Sequence, residues 1–147
     1  MPAKPQRWGA PASGTWMTNP DLSQPQRGSL YTWPRNRAFG DSKARTVLVI
    51  APDAATRNSN RWVVVPISTD TRLAGNPLAV PLEATAQTGL DQPSHAMAWL
   101  PTSVEREQLA GPLGRICPAE LKAVLGALNA ALDLAMDEPW QPESINR

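Results

Sequence analysis

Cysteine is almost missing: Cys117 is the only one in 147 residues, which excludes an internal disulfide framework and any cluster of several thiolates around a metal. That scarcity suits a reducing cytoplasm. Histidine is as rare, with His95 alone, so one chain cannot assemble a multi-histidine metal site. No metal and no other cofactor is expected. No run approaches the roughly 20 apolar residues of a membrane span, and the opening MPAKPQRWGAPASG carries prolines where a secretory signal needs an apolar stretch. The chain reads as soluble, with no membrane partner. An excess of either charge is absent too: 14 Lys and Arg stand against 13 Asp and Glu, a formal +1. No whole-molecule field demands a nucleic acid or a membrane, and any charge argument must be local. Phosphate loops of the G-x-x-x-x-G-K-[ST] or G-x-G-x-x-G kind do not occur, so nucleotide cofactors have no support.

What is present is enough for one domain. Hydrophobic residues make up 41% of the chain, while 16 prolines and 9 glycines point to short, β-rich elements broken by turns. Residues 1–26 hold five prolines, no Ile or Val and a single Leu, too little apolar surface to order themselves. They read as a flexible N-terminal arm, with Trp8 and Trp16 available to dock on a surface and Met17 as an alternative start. Residues 27–137 form the folded domain, and 138–147 a C-terminal tail.

Within the domain, SLYTW (29–33) is the first expected strand and the polar, basic stretch 34–44 a loop. RTVLVIA (45–51) has almost no polar residue after Thr46, as a strand buried on both faces requires. PDAATRNSN (52–60) reads as a turn. RWVVVPIST (61–69) is a second central strand, in which Pro66 implies an edge position or a bulge. PLAVPL (77–82), HAMAWL (95–100) and LGRI (113–116) are further strands. Thr102 followed by Glu105 has the spacing of a capping box and suggests one short helical turn. Pro118, Glu120 and the stripe Leu121, Val124, Leu125, Leu128, Leu132, Ala135 predict an amphipathic helix of about 18 residues, ending near Met136 before Pro139. Gly126 within it costs roughly 1 kcal/mol relative to alanine unless a neighbour packs close.

Charge is unevenly placed. Residues 27–72 contain eight basic and three acidic side chains, and residues from 73 onward four basic and nine acidic. Positive potential on the first strands and their loops suits a phosphate-binding surface, and arginine is the better planar phosphate ligand. An arginine can stabilise the pentacovalent phosphorane of a phosphodiester reaction while a hydroxyl orients the phosphate. Arg45 at a strand start and Ser68 with Thr69 at a strand end suit those roles, although an arginine flanking a strand also serves as a gatekeeper against aggregation. Arg35, Arg37, Lys43, Arg61 and Arg72 are the candidate phosphate-binding cations, and Trp33, next to the basic loop, is the candidate stacking side chain. His95 is a possible auxiliary proton carrier, and Cys117 takes the place of a helix N-cap.

The order RGSLYTW, KARTVLVIAP, RWVVVPIST, PLAVPL and TSVEREQLAGPLGRICPAELKAVLGALNAAL resembles the MazF/PemK/Kid family of toxin–antitoxin ribonucleases over about residues 27 to 135. The resemblance implies a mainly β fold, an SH3-like small barrel with a C-terminal α-helix, forming a symmetric homodimer. It also implies metal-independent cleavage of single-stranded RNA, in which the 2′-OH attacks the adjacent phosphate and leaves 2′,3′-cyclic phosphate and 5′-OH ends. The family's arginine and hydroxyl positions fall on Arg45, as acid or charge stabiliser, and Ser68, with Thr69 beside it. A cognate antitoxin with an acidic disordered segment is the implied partner. Two departures stand out: Thr46 replaces the usual proline after the arginine, and Trp99, Leu100, Pro101 and Thr102 stand where many members carry Gln-x-Arg. Arg72 or His95 would then take over the second arginine's part. A gyrase-binding toxin on the same barrel, resembling the CcdB group, and a noncatalytic RNA-binding relic are the alternative readings.

Overall fold

In the computed structural model, residues 26–34 and 44–134 are described. The arm and tail expectations, and the loop that carries Arg35, Arg37 and Lys43, lie outside them. Seven strands and two helices follow one another as β1 (Ser29–Trp33), β2 (Arg45–Val49), α1 (Asp53–Asn58), β3 (Arg61–Ser68), β4 (Ala79–Leu82), β5 (Ser94–Met97), β6 (Thr102–Glu105), β7 (Ala110–Arg115) and α2 (Pro118–Leu132). Single 3-10 turns occupy Thr71–Gly75 and Arg106–Gln108.

All pairings are antiparallel, in the order β4-β5-β3-β2-β1-β7, with β6 also beside β3. The β-branched run of β2 lies at the centre of this sheet, and Val47, Leu48 and Val49 are fully buried. Side chains alternate between the two faces of a strand, and each face has its own apolar cluster. Leu30, Leu48, Val65, Ile67, Val80 and Ala96 meet α2 through Val124, flanked by Leu121, Leu125 and Leu128. Tyr31, Val47, Val49, Val64 and Val104 form the cluster on the opposite face, with Trp33 and Leu109 against it.

The mainly β class with a C-terminal helix is as expected, but no ladder between β4 and β7 closes the sheet among the described residues. The gap is bridged through the β4–β5 connection, where the Arg115 N–H donates to the Gln87 carbonyl at 2.8 Å. Gly114 permits this approach, because a Cβ there would collide with the Gln87 and Thr88 carbonyls.

Four expectations need correction. Residues 53–58 are a short helix rather than a turn, held by tertiary bonds: the Asp53 carboxylate accepts the Arg27 amide at 2.9 Å, and the Trp62 indole N–H donates to the Thr56 and Ser59 carbonyls at 3.2 and 3.1 Å. Thr102–Glu105 is strand β6, because it pairs with Arg61–Val64. The capping box belongs instead to Glu105 and Gln108, one turn later. Pro66 lies in a central strand, at the changeover where β3 passes from β6 (partners of 61–64) to β5 (partners of 67 and 68), so its missing N–H falls between two ladders. The last helix ends at Leu132, where Asp133 takes a left-handed conformation (φ 51°, ψ 46°), and Leu132 is half-exposed rather than buried. Its start is as read: Pro118 occupies the first turn, and the Glu120 carboxylate accepts the Cys117 amide at 3.1 Å.

Candidate active site

Register brings the candidate residues of three strands into one row. Trp33 pairs with Arg45 across β1 and β2, and Thr46 pairs with Ile67 across β2 and β3. Arg45 and Ser68 each lie one residue beyond that last pair, at the same end of the ladder. Ser68 in turn pairs with His95 of β5. Because Ile67 faces α2, alternation puts Ser68 on the opposite face with Pro66, and His95 there with Met97.

On that face a cavity of about 500 Å³ opens, with Val47, Val64, Pro66, Met97 and Leu100 as apolar walls. Trp33, Arg45 and Arg61 border it, together with the polar groups of Thr102, Ser103, Glu105 and Gln108. Arg45 is exposed and Trp33 half-buried, so a planar cation and a planar ring flank one apolar hollow.

Arg61 sits at the other end of β3, where its guanidinium meets the Glu105 carboxylate at 3.2 Å across the β3–β6 ladder. Both partners are well exposed, so the pair adds little to stability. Beyond Ser68, its hydroxyl oxygen accepts the Asp70 amide at 3.1 Å, which leaves the hydroxyl proton able to donate. The Asp70 carboxylate in turn takes the Arg72 guanidinium through both oxygens, at 2.8 to 3.2 Å. Hydrogen bonds from Arg72 hold the Asp70 carboxyl below the ordinary carboxylate range, and the same bond raises Arg72. Arg72 thus stands near Ser68 with its charge already matched. Thr69 follows β3 as an exposed residue.

Of the expected site residues, register aligns Trp33, Arg45, Ser68 and His95 in one row. Trp33 and Arg45 border the cavity with Arg61 at its far rim, whereas Ser68 and His95 lie on the same face outside its lining. The apolar walls were not expected as part of a site. Val64 and Pro66 were readable from the two-residue alternation that leads to Ser68. Met97, Leu100 and Gln108 reach the cavity only through the β5 and β6 pairings, for which no local signal exists.

A small antiparallel β-domain with a helix packed on one face, and an arginine-bordered cavity on the other, defines the class. Residues 26–132 match the family described as PemK-like, MazF-like toxin of type II toxin–antitoxin system, and the chain belongs to that family. Among solved structures it is similar to an endoribonuclease of a mycobacterial species in complex with its cognate antitoxin, at 25% identity and TM-score 0.62, covering 80% of this chain and 99% of that one. It shares its fold with MazF in a MazE–MazF complex of Deinococcus radiodurans (22% identity, TM-score 0.63, 76% of this chain and 99% of that one). The Mycobacterium tuberculosis toxin MazF-mt6 has the same fold (24% identity, TM-score 0.59, 72% and 98%). No curated protein sequence matches significantly. Among the described residues, no helix is long and apolar enough to cross a membrane.

Proposed function

We propose that this chain is the toxin of a type II toxin–antitoxin pair and acts as a sequence-selective endoribonuclease on single-stranded RNA in the cytoplasm, without a metal ion. The observation that carries this reading is the placement of Arg45 and Ser68 at one end of the β2–β3 ladder, on the cavity face. In the reaction the substrate 2′-oxygen forms a bond to the adjacent phosphorus and the bond from phosphorus to the 5′-oxygen breaks. The 2′-hydroxyl loses its proton and the departing 5′-oxygen gains one, giving 2′,3′-cyclic phosphate and 5′-OH ends. Negative charge gathers on the non-bridging oxygens in the transition state, where a guanidinium fixed in place stabilises it. Arg45 supplies that cation, and the Ser68 hydroxyl, oriented by the Asp70 amide, donates to the same phosphate. His95, the register partner of Ser68, is the proton carrier this arrangement offers. Trp33 stacks a base at the cavity mouth, and Arg61, paired with Glu105, borders the far rim.

The same face suits an antitoxin whose acidic disordered segment folds along the arginines and blocks RNA. A homodimer adds apolar burial to a domain of limited core. The test is incubation with a long single-stranded RNA in EDTA, beside Arg45→Ala, with end-group analysis of the fragments. Discrete cuts bearing 5′-OH ends are expected, slowed about 100- to 1,000-fold in the variant. Intact RNA would contradict the reading and turn attention to gyrase binding.

A further inference from the structure

A second cavity lies at the opposite end of β3 from Ser68. It measures about 410 Å³ and is bordered by Thr56, Arg57, Asn58, Ser59, Asn60 and Arg106. Its walls are polar throughout, and Arg57 and Arg106 are two of its bordering residues. Neither has a carboxylate partner among the described residues, although Glu105 beside Arg106 is matched by Arg61 at 3.2 Å. The site is preorganised from below. The Arg106 amide donates to the Asn60 carbonyl at 2.8 Å, and its guanidinium lies 5.9 Å from the centroid of the buried Trp62 ring, a cation–π seat that fixes the cation without neutralising it. The Trp62 indole N–H occupies the Thr56 and Ser59 carbonyls, at 3.2 and 3.1 Å, so two of the acceptors that would repel an anion at this end of α1 are already engaged.

This cavity adjoins the first. Asn60 and Arg106 border the second, while their chain neighbours Arg61 and Glu105 border the first. The eight residues of β3 run between the two ends, a span of roughly 23 Å at about 3.3 Å per residue, which corresponds to several nucleotides of extended strand.

We propose that Arg57 and Arg106 hold a backbone phosphate of single-stranded RNA several nucleotides away from the phosphate cut at Arg45 and Ser68. The inference rests on the nuclease reading above. Planar guanidiniums match phosphate oxygens bidentately. The absence of an apolar wall disfavours an amphipathic acidic peptide, which needs one for its hydrophobic side. The Arg57–Arg106 site therefore adds affinity for long RNA and little for short.

The experiment measures, with the full chain, Kd against salt for a single-stranded RNA made uncleavable by a 2′-deoxy sugar at the cut position. Wild type is compared with Arg57→Gln, Arg106→Gln and the double variant. The double variant is expected to flatten the log–log salt slope by about 0.7, as for one lost single-strand phosphate contact, and each single substitution by part of that. The double variant should weaken binding on the order of tenfold, with less than about a twofold change on an oligonucleotide too short to reach from Ser68 to Arg57. Arg57 is exposed, so its variant stays informative even where Arg106→Gln disturbs the packing on Trp62. An unchanged slope in an Arg57→Gln protein that folds, beside a wild type that binds and cuts RNA, overturns this inference alone. Loss of affinity for an acidic peptide without loss for RNA also overturns it. A wild type that neither binds nor cuts RNA overturns the nuclease reading and this one together.

Discussion

The two faces of the central strands differ in a way that explains how one short sequence both folds and acts. Leu30, Leu48, Val65 and Ile67 point toward α2 and form a core closed by the helix. Their sequence neighbours Tyr31, Val47, Val64 and Pro66 point the other way, where apolar packing continues only part of the distance and then gives onto the cavity bordered by Trp33 and Arg45. The same backbone carries both, so a substitution at one position should affect stability and a substitution two or three residues away should affect chemistry.

The comparison breaks most visibly at Leu48. This side chain is fully buried on the helix face, and Leu48→Ala is expected to cost about 2 to 5 kcal/mol of stability through lost transfer energy and the cavity left behind. Urea denaturation reads the loss, and an effect below about 1 kcal/mol would mean that the helix-side core is loosely packed.

Tyr31 tests the other face. Its hydroxyl is buried without a hydrogen-bond partner in the described structure, and burial pushes its pKa from 10.0 up to about 12, while the charge of Arg106 pulls the opposite way. The folded pKa lies above the unfolded one, so this contribution is fully present below pH 10 and is lost as pH rises toward 12. The shift corresponds to about 3 kcal/mol. Tyr31 is the only tyrosine in the chain, so ultraviolet absorbance follows it directly. Ionisation should coincide with alkaline unfolding, and a midpoint near 10 in folded protein would show that the hydroxyl meets water.

Gly126 gives the smallest effect. A Cβ there would meet nothing within 4 Å, and the residue lies inside α2, so Gly126→Ala should raise stability by about 0.5 to 1 kcal/mol in thermal melts. A loss instead would indicate that another chain packs against the helix at that point.

Much of this arrangement was legible in the residues. The apolar run of β2, the alternation of β3 and the proline-started stripe of α2 each combine local propensity with a clear period, and Arg45 and Ser68 stand at ends of those strands. Helix α1 was not legible, because six residues carry too little periodicity and its support comes from Arg27 and Trp62, both distant in sequence or outside the helix. The Thr102–Glu105 spacing misled, since pairing with β3 outweighs a local capping preference. Strand β7 begins at Ala110 rather than at 113 and takes in Gly111 and Pro112, residue types that ordinarily weaken a strand. At the site, the contact of Arg61 with Glu105 and the pairing of Ser68 with His95 follow from register alone, and register is a property of the assembled sheet.

The most direct test of the division between faces measures two quantities on two variants: the single-turnover rate of RNA cleavage and the urea midpoint, for Arg45→Ala and Leu48→Ala. The account predicts that Arg45→Ala loses about 100-fold or more in rate with a midpoint close to wild type, while Leu48→Ala loses midpoint and keeps its rate per folded molecule. Rate and midpoint falling together in both variants would contradict it.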